Sequence, residues 1–367
     1  MSMISAIRIG LRDRFIKFYT DDLVRISRRR TISRGYRKRR VQSEPITAEQ
    51  KAEIIDFWKP YRNVEHDLGW FEFYNYHCED KTKLKYYIPD NIYFTEIDTF
   101  FTNPRRCDQL DDKNLYDLFF YDVKMPQTVV RKVDGFYLDK DYRTITLDQA
   151  VDLCVNAGNV ISKESRMSCG GFGLKFFDFS TGNVAEFKKW LSQKKNDNIN
   201  IQEVVSQHES LNKIHRNSIN TLRIISLMFD GEVHILSALL RMGVDGAKVD
   251  NASSGGLMCG IDEKGYLKDI AFGNYGEKVL QHPQGTVFNE VKIIGLDKCY
   301  EVIRKVAGRM CSASRLVSWD FAIGADAEPI LIEVNLTYGG VNMHQMCNGP
   351  VFGDLTERVL ARVYKNR

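Results

Sequence analysis

"SWDFAIGADAEPILIEVNLTYGG", residues 318–340, holds two short apolar runs separated by a turn, and each run carries polar groups among large apolar side chains. Asp320 sits inside Trp-Asp-Phe-Ala-Ile, and Glu333 and Asn335 sit inside Leu-Ile-Glu-Val-Asn. Ala325 to Glu328, followed by Pro329, reads as a turn, which predicts an antiparallel pair with Asp320 across from Glu333. Side chains alternate along a strand, so Glu333 and Asn335 share one face while Ile332 and Val334 point to the core. Ionised carboxylates on such strands are costly unless a cation lies beside them. Three oxygen-bearing side chains on one face, with no basic residue between them, suit a hard divalent cation. Mg2+ takes few protein carboxylates and leaves positions to water and phosphate. Taken alone, acid-x-Asn on a strand is a weak signal, because solvation at a sheet edge explains it too.

The composition is that of an ordinary globular protein, with 43% hydrophobic and 27% charged residues. A chain of 367 residues exceeds one simple core and predicts two or three packed subdomains. No apolar run approaches the roughly 20 residues that span a bilayer. The first residues are charged throughout and show no cleavable secretory pattern. Eight cysteines occur with no Cys-x-x-Cys pair and no histidine at zinc spacing, which reads as scattered reduced thiols in a cytoplasmic protein. Charge is uneven. Residues 1–43 hold thirteen Lys and Arg against three Asp, a local +10 within a total of +4. Upstream of "RISRRRTISRGYRKRR" (25–40), Ile4, Ile7, Leu11, Phe15, Phe18 and Leu23 are spaced like one helical face. An amphipathic helix followed by a basic run fits attachment to the inner face of a membrane. RNA contact and a solvated tail remain open alternatives.

Periodicity and turn residues predict the rest. Thr47 with Gln50 forms a capping box that opens a helix over 45–61. "KYYIP" and "NIYFTEI" look like strands, and 110–120 like a helix. A strand and turn follow over 125–142, then a helix over 146–158 closed by Gly158. Next come a strand over 159–165, a glycine-rich stretch, the strand "LKFFDF" and a helix over 184–196. Residues 200–205 read as a strand, and 219–243 as a long hairpin turning at Asp230-Gly231. A helix over 296–311 leads into the opening stretch. Strands and helices without strict alternation predict an α+β architecture.

Three further motifs carry chemistry. In "SKESRMSCGGFG", Lys163 lies near a strand end and Gly170, Gly171 and Gly173 lie in the turn beyond it. Glycines allow close backbone approach, successive N–H groups form an anion nest, and the lysine adds a point charge for a phosphate oxygen. The stretch lacks the closing Gly-Lys-Ser/Thr of a P-loop, and a plain glycine hairpin fits it equally. "IQEVV" (201–205) offers strand backbone to a base edge, with Glu203 near a sugar; a core strand is the rival reading. Arg223 in "NTLRI", Arg241 in "LLRMG" and Asn251 in "VDNASSGG" suit contacts to an anion.

Singly these are weak, but their order is informative. Lysine, glycine loop, "QEVV", Arg-hairpin-Arg, Asn-x-x-x-Gly-Gly and Asp…Glu-x-Asn together resemble the ATP-grasp superfamily over about residues 105–360. "INTLRI", "RMG…VDNASSGG" and "WDFAI…ILIEVN" most resemble its sugar-transfer-associated group, whose members are predicted to act in cell-surface polysaccharide biosynthesis. "DNASSGG" after "LLR" is similar to ribosomal-protein glutamate ligases, and "LDDK" (110–113) to biotin carboxylase-like members.

The resemblance implies an ATP-grasp fold with a basic segment over 1–43, an N-terminal subdomain over 44–109, a small ATP-grasp subdomain with the glycine loop over 110–200, and a large subdomain with the metal site over 201–363. It implies ATP and two Mg2+ ions as cofactors, with Asp320, Glu333 and Asn335 as metal ligands. Lys113 and Lys163 match lysines on the ATP phosphates, and Ser168, Gly170, Gly171 and Gly173 the loop over the γ-phosphate. Gln202, Glu203, Val204 and Val205 match the strand that meets adenine. Arg223, Arg241 and Asn251 fall where related ligases steady the triphosphate or acyl-phosphate; Arg223, Arg241 and Lys163 are the catalytic candidates. One departure stands out: the family's lysine is often followed by proline, whereas Glu164 follows Lys163.

The implied activity is a carboxylate–amine ligase acting through an acyl-phosphate on small, sugar-linked substrates. A kinase on the same scaffold and a non-catalytic nucleotide- or RNA-binding protein are the rivals; the complete donor set weighs against nucleic acid. After the metal strand, Gly339, Gly340, Asn342 and His344 are candidates to line an acceptor pocket.

Overall fold

The computed structural model describes residue 32 and residues 34–166, 173–337 and 339–365. The apolar helical face expected before residue 31, and Ser168, Gly170 and Gly171, lie outside the described residues. Two compact units divide the chain at Phe100/Phe101 and Gly339/Gly340, so the first unit takes the chain on both sides of the second.

In the first unit the capping box forms as expected at the helix Ala48–Trp58: Thr47 N–H donates to Gln50 Oε1 at 2.9 Å and Gln50 N–H to Thr47 Oγ1 at 3.2 Å. Neither expected strand after it forms: the first falls on the end of a tight turn, Lys81–Tyr86, and on irregular residues 87–89, and the second on helical turns, chiefly the wide one over Tyr93–Ile97. Aromatic and β-branched composition favours strands only where a partner strand exists. Here the Ile88 N–H and C=O are both taken by the Gln345 side-chain amide, each at 2.9 Å. His344 is fully buried within this unit.

The second unit holds two antiparallel sheets. Six strands form the first: β1 (Thr128–Val133), β2 (Phe136–Leu138), β3 (Thr144–Ile145), β4 (Asn159–Glu164), β5 (Lys175–Asp178) and β6 (Ile199–Glu203), in the order β3-β2-β1-β6-β4-β5. Helices α1 (Leu147–Ala157) and α2 (Val184–Leu191) cover one face. Val130, Val160, Ile199 and Ile201 pack there against Ala150, Val151, Phe187 and Leu191. Alternation sends the neighbouring residues the other way. Lys163 pairs with Asn200, Asn200 pairs with Arg131, and Gln202 lies two residues further, so the opposite face is polar yet buried.

The other sheet has seven strands: β7 (Leu222–Phe229), β8 (Glu232–Met242), β9 (Leu257–Ile261), β10 (Leu267–Phe272), β11 (Lys278–Val279), β12 (Leu316–Ile323) and β13 (Pro329–Asn335), ordered β11-β10-β9-β8-β7-β12-β13. The β7–β8 hairpin turns at Asp230-Gly231, whose φ values of 51° and 85° are those the Asp-Gly pair predicts. Helix α3 (Leu296–Met310) packs Ile303, Val306 and Met310 against Ile224, Trp319, Phe321 and Val334. The architecture is α+β, as the sequence predicts.

The helix expected over 110–120 is broken into Pro104–Leu110, a turn at Lys113–Leu115 and Tyr116–Phe119. Asp112 causes the break by accepting the Asn114 N–H on its side chain at 3.0 Å, an alternative to the helical bond.

Candidate active site

The register of three strands builds the centre. Asp320 lies directly across from Glu333 on β13, as expected, and from Arg223 on β7. Arg223 pairs with Leu239, so Arg241, two residues beyond, lies on the same face. A bulge follows Asp320: Phe321 pairs with Leu331, leaving Ile332 as the extra residue. The expectation that Ile332 points to the core is therefore corrected. Val334 and Leu331 enter the core, while Ile332 is half-buried and lines a cavity.

The sequence shows no basic residue between the three oxygen donors, but the fold supplies two. Arg223 grips both Asp320 oxygens, Nε to Oδ1 at 2.8 Å and Nη2 to Oδ2 at 2.6 Å. Arg241 Nη1 lies 3.7 Å from Oδ2, and Asn335 donates to the same oxygen at 3.3 Å. Burial pushes the Asp320 carboxyl upward, but Arg223 and Arg241 outweigh it and hold it at about 2. Arg241 is oriented by Asp250, with Nη2 to Oδ1 at 2.9 Å, and Asp250 also takes the Thr221 N–H at 2.9 Å and the Thr221 hydroxyl. Asp250 escapes the motif reading. Its signal is an acid nine residues after an arginine that a buried strand must neutralise. Its neighbour Asn251 builds the local turn through its carbonyl, which accepts from Ser254 and Gly256 at 2.9 and 3.1 Å.

Two lysines complete the cluster. Lys113 Nζ meets Glu333 Oε1 at 2.9 Å from the broken turn. Lys163 is 9% exposed, and no carboxylate among the described residues lies within 4.0 Å of its ammonium. Burial lowers its pKa to about 8, against the upward pull of Glu333, with Lys113 lowering it further and Asp320 raising it. Lys113, Lys163, Arg223 and Arg241 thus face Asp250, Asp320 and Glu333, and Asp111 lies close enough to Lys113 and Glu333 to interact with both, so cations and carboxylates are equal in number. Of these cations only Lys163 makes no ion pair among the described residues.

Gly173 has φ of 78°, and a Cβ there would come within 2.9 Å of the Glu164 side chain, so the residue leaving the glycine stretch must be glycine. On β6, Gln202 is buried, and its Oε1 finds no hydrogen-bond donor. It lines a cavity of about 440 Å³ with Lys113, Tyr116, Phe120, Thr128 and Ile332. Glu203 and Val204 are exposed, and their N–H groups are bound to Gln127 and Asn159 carbonyls at 3.0 and 3.3 Å; Val205 is half-buried.

A metal site is testable from the donors themselves. Among the described residues no group of three or more His, Cys, Asp or Glu side chains gathers for a metal. Glu333 Oε2 and Asn335 Oδ1 are nevertheless oxygens without a protein donor, on one strand face beside Asp320. This set fits one Mg2+ ion where phosphate oxygens complete its shell.

Residues 189–361, which contain the whole seven-stranded sheet, match the family model described as sugar-transfer associated ATP-grasp. No curated protein matches the chain. Among solved structures, the chain is similar to D-alanyl-alanine synthetase A from Vibrio cholerae O1 biovar eltor, with 13% identity, a TM-score of 0.43, and coverage of 72% of this chain and 68% of that one. It is also similar to D-cycloserine synthetase DcsG, with 16% identity, a TM-score of 0.43, and coverage of 71% and 73%. The ATP-grasp ligase PsnB with its minimal precursor gives 12%, 0.40, 71% and 64%.

Proposed function

We propose that the protein is an ATP-dependent carboxylate–amine ligase. The observation that carries this reading is the buried Lys163 ammonium without an ion pair, next to the Lys113–Glu333 pair and the Arg223–Asp320–Arg241 group. A triphosphate supplies the counter-charge that Lys163 lacks among the described residues. Lys113 and Lys163 bind its oxygens, and the cavity bordered by Gln202 and Ile332 receives the adenine, whose amino group answers the unpaired Gln202 Oε1. Ser168, Gly170, Gly171 and Gly173 close over the γ-phosphate in this reading, and Glu203, Val204 and Val205 border the base.

Glu333, Asn335 and Asp320 would hold Mg2+, which would supply neutralising charge to the phosphoryl group; the resemblance implies two such ions. A substrate carboxylate oxygen attacks the γ-phosphorus, the bond to the ADP oxygen breaks, and an acyl-phosphate forms. The amine nitrogen then attacks the acyl carbon, phosphate leaves, and the amine proton passes to solvent. Arg223 and Arg241, each already held by a carboxylate, add positive charge beside the anhydride in this reading, and the site excludes water that hydrolyses it. The matched description, sugar-transfer associated ATP-grasp, supports a sugar-linked acid or amine; surface polysaccharide synthesis is what the sequence resemblance implies.

The basic segment fits an anionic membrane surface on the cytoplasmic side. In its described part Tyr36 packs on Trp70 with ring centroids 4.8 Å apart and Arg39 pairs with Asp90 at 3.4 Å, leaving Arg34, Arg37 and Arg40 exposed. Among the described residues no helix is long and apolar enough to cross a membrane.

The test is ADP release from ATP and Mg2+ with a panel of sugar acids and amines, with hydroxylamine as trap. A hydroxamate supports the ligase, a stable phosphoester indicates a kinase, and no ADP with any acid overturns the reading.

A further inference from the structure

Tyr142 is a bulky residue held at φ of 63°, in the left-handed region that aromatic side chains rarely adopt. Such strain persists only where the surroundings enforce it, and what it achieves is visible at the other end of the side chain. The single Tyr142 hydroxyl proton is shared between two acceptors, the Asn114 carbonyl at 2.8 Å and the Asp117 carboxylate. Its ring lies under the Arg131 guanidinium, 4.0 Å from the centroid. Arg131 is 1% exposed and donates from Nε to the same Asn114 carbonyl at 3.0 Å, while its Nη2 pairs with Asp117. Asn200 holds the Asn114 side chain at 2.9 Å, and the Lys113 N–H donates to Ser165 at 2.8 Å. These bonds converge on the short turn that carries Lys113 and on Asp117 in the helical piece directly after it.

We infer that Tyr142 is a positioning residue, which with Arg131 acts through Asn114 to fix the Lys113 ammonium at Glu333 for a bound phosphate. Without the clamp, a three-residue turn between two helical pieces has no regular secondary structure to hold it, and a flexible lysine loses contact strength to side-chain motion. The inference rests on the proposed nucleotide role of Lys113. Tyr142 does not line the cavity assigned to the adenine.

The test is a double-mutant cycle on the full chain, reading the Kd of ATP by calorimetry with and without MgCl2, with folding checked by circular dichroism. Lys113→Ala alone weakens ATP binding. Tyr142→Phe, which keeps the ring and removes only the hydroxyl, weakens it roughly three- to ten-fold, the scale of one hydrogen bond. In the Lys113→Ala background Tyr142→Phe has no further effect. Asp117→Asn is the second variant, with the same coupling expected, should Tyr142→Phe fold poorly. A Tyr142→Phe effect of equal size in both backgrounds overturns the inference, as does no effect in either. A silent Lys113→Ala sinks the nucleotide role of Lys113 and the positioning role with it, and is recognised because the first arm of the cycle is flat.

Discussion

Lys163 has been brought near neutrality by burial, and that makes its charge conditional. Its pKa of about 8 lies below the value of an exposed lysine, so the folded protein releases this proton between about pH 8 and 10.5 while the unfolded chain keeps it. The unfolded state then binds more protons, and stability rises with pH across that window; Lys163→Met removes this slope in denaturant titrations at pH 7.5 and 10. Nucleotide binding has the opposite sign, because it uses the charged form: the Kd for ATP increases as pH passes 8 in the native protein and stays flat in the variant. At pH 7 the same variant loses about 1.5–3 kcal/mol of binding, the range for a hydrogen bond to a charged group.

Asp320 and Glu333 look alike in sequence and differ in structure. Removing the Asp320 charge leaves the half-buried Arg223 without its carboxylate and Arg241 with Asp250 alone, so Asp320→Asn destabilises the fold by about 3 kcal/mol in urea. Glu333 is partly exposed and pairs with one lysine, so Glu333→Gln keeps the fold and abolishes ADP formation. A Glu333→Gln protein with normal turnover removes the metal site from this account. With its pKa near 2, Asp320 contributes stability above the ordinary aspartate range, lost only as pH falls from about 4 through 2.

The decisive element is β13, the edge of the seven-stranded sheet. An edge strand leaves N–H and C=O groups that something must satisfy. The Tyr116 hydroxyl does so at Val334, donating to its carbonyl at 3.2 Å and accepting its N–H at 3.4 Å, and the Leu331 N–H donates to the Lys124 carbonyl at 2.9 Å. Tyr116→Phe strands both Val334 groups in a buried place, at a cost of about 1–3 kcal/mol by thermal or urea unfolding. It also loosens Glu333 next door, so the KM for ATP rises in a steady-state assay. Elements of this kind were readable to different depths. The Asp230-Gly231 hairpin and the capped helix at Thr47 follow from local chemistry and appear as predicted. The strands expected before residue 97 do not, because Gln345, far along the chain, satisfies the backbone that a partner strand needs. The bulge at Ile332 was equally invisible, since alternation in sequence has no mark for an extra residue.

Across the whole molecule the charge asymmetry makes the last prediction. Residues 1–43 carry +10 against a slightly negative remainder. The full chain therefore sediments with vesicles containing anionic lipid and releases with rising salt, at about 1 kcal/mol per basic side chain near the surface, while a chain lacking residues 1–31 binds less. Binding to neutral vesicles of equal strength counts against an electrostatic surface.

The amino-acid order alone determined the α+β class, the antiparallel pair of β12 and β13, the facing of Asp320 and Glu333, and the lysines and arginines worth watching. These follow from alternation, turn chemistry and capping, which act over a few residues. Only the tertiary structure decided which cation meets which carboxylate. Arg223 and Asp320 are 97 residues apart, and Lys113 reaches Glu333 from outside the seven-stranded sheet. Such pairs depend on the register between distant strands and on where a helix breaks, and local periodicity encodes neither.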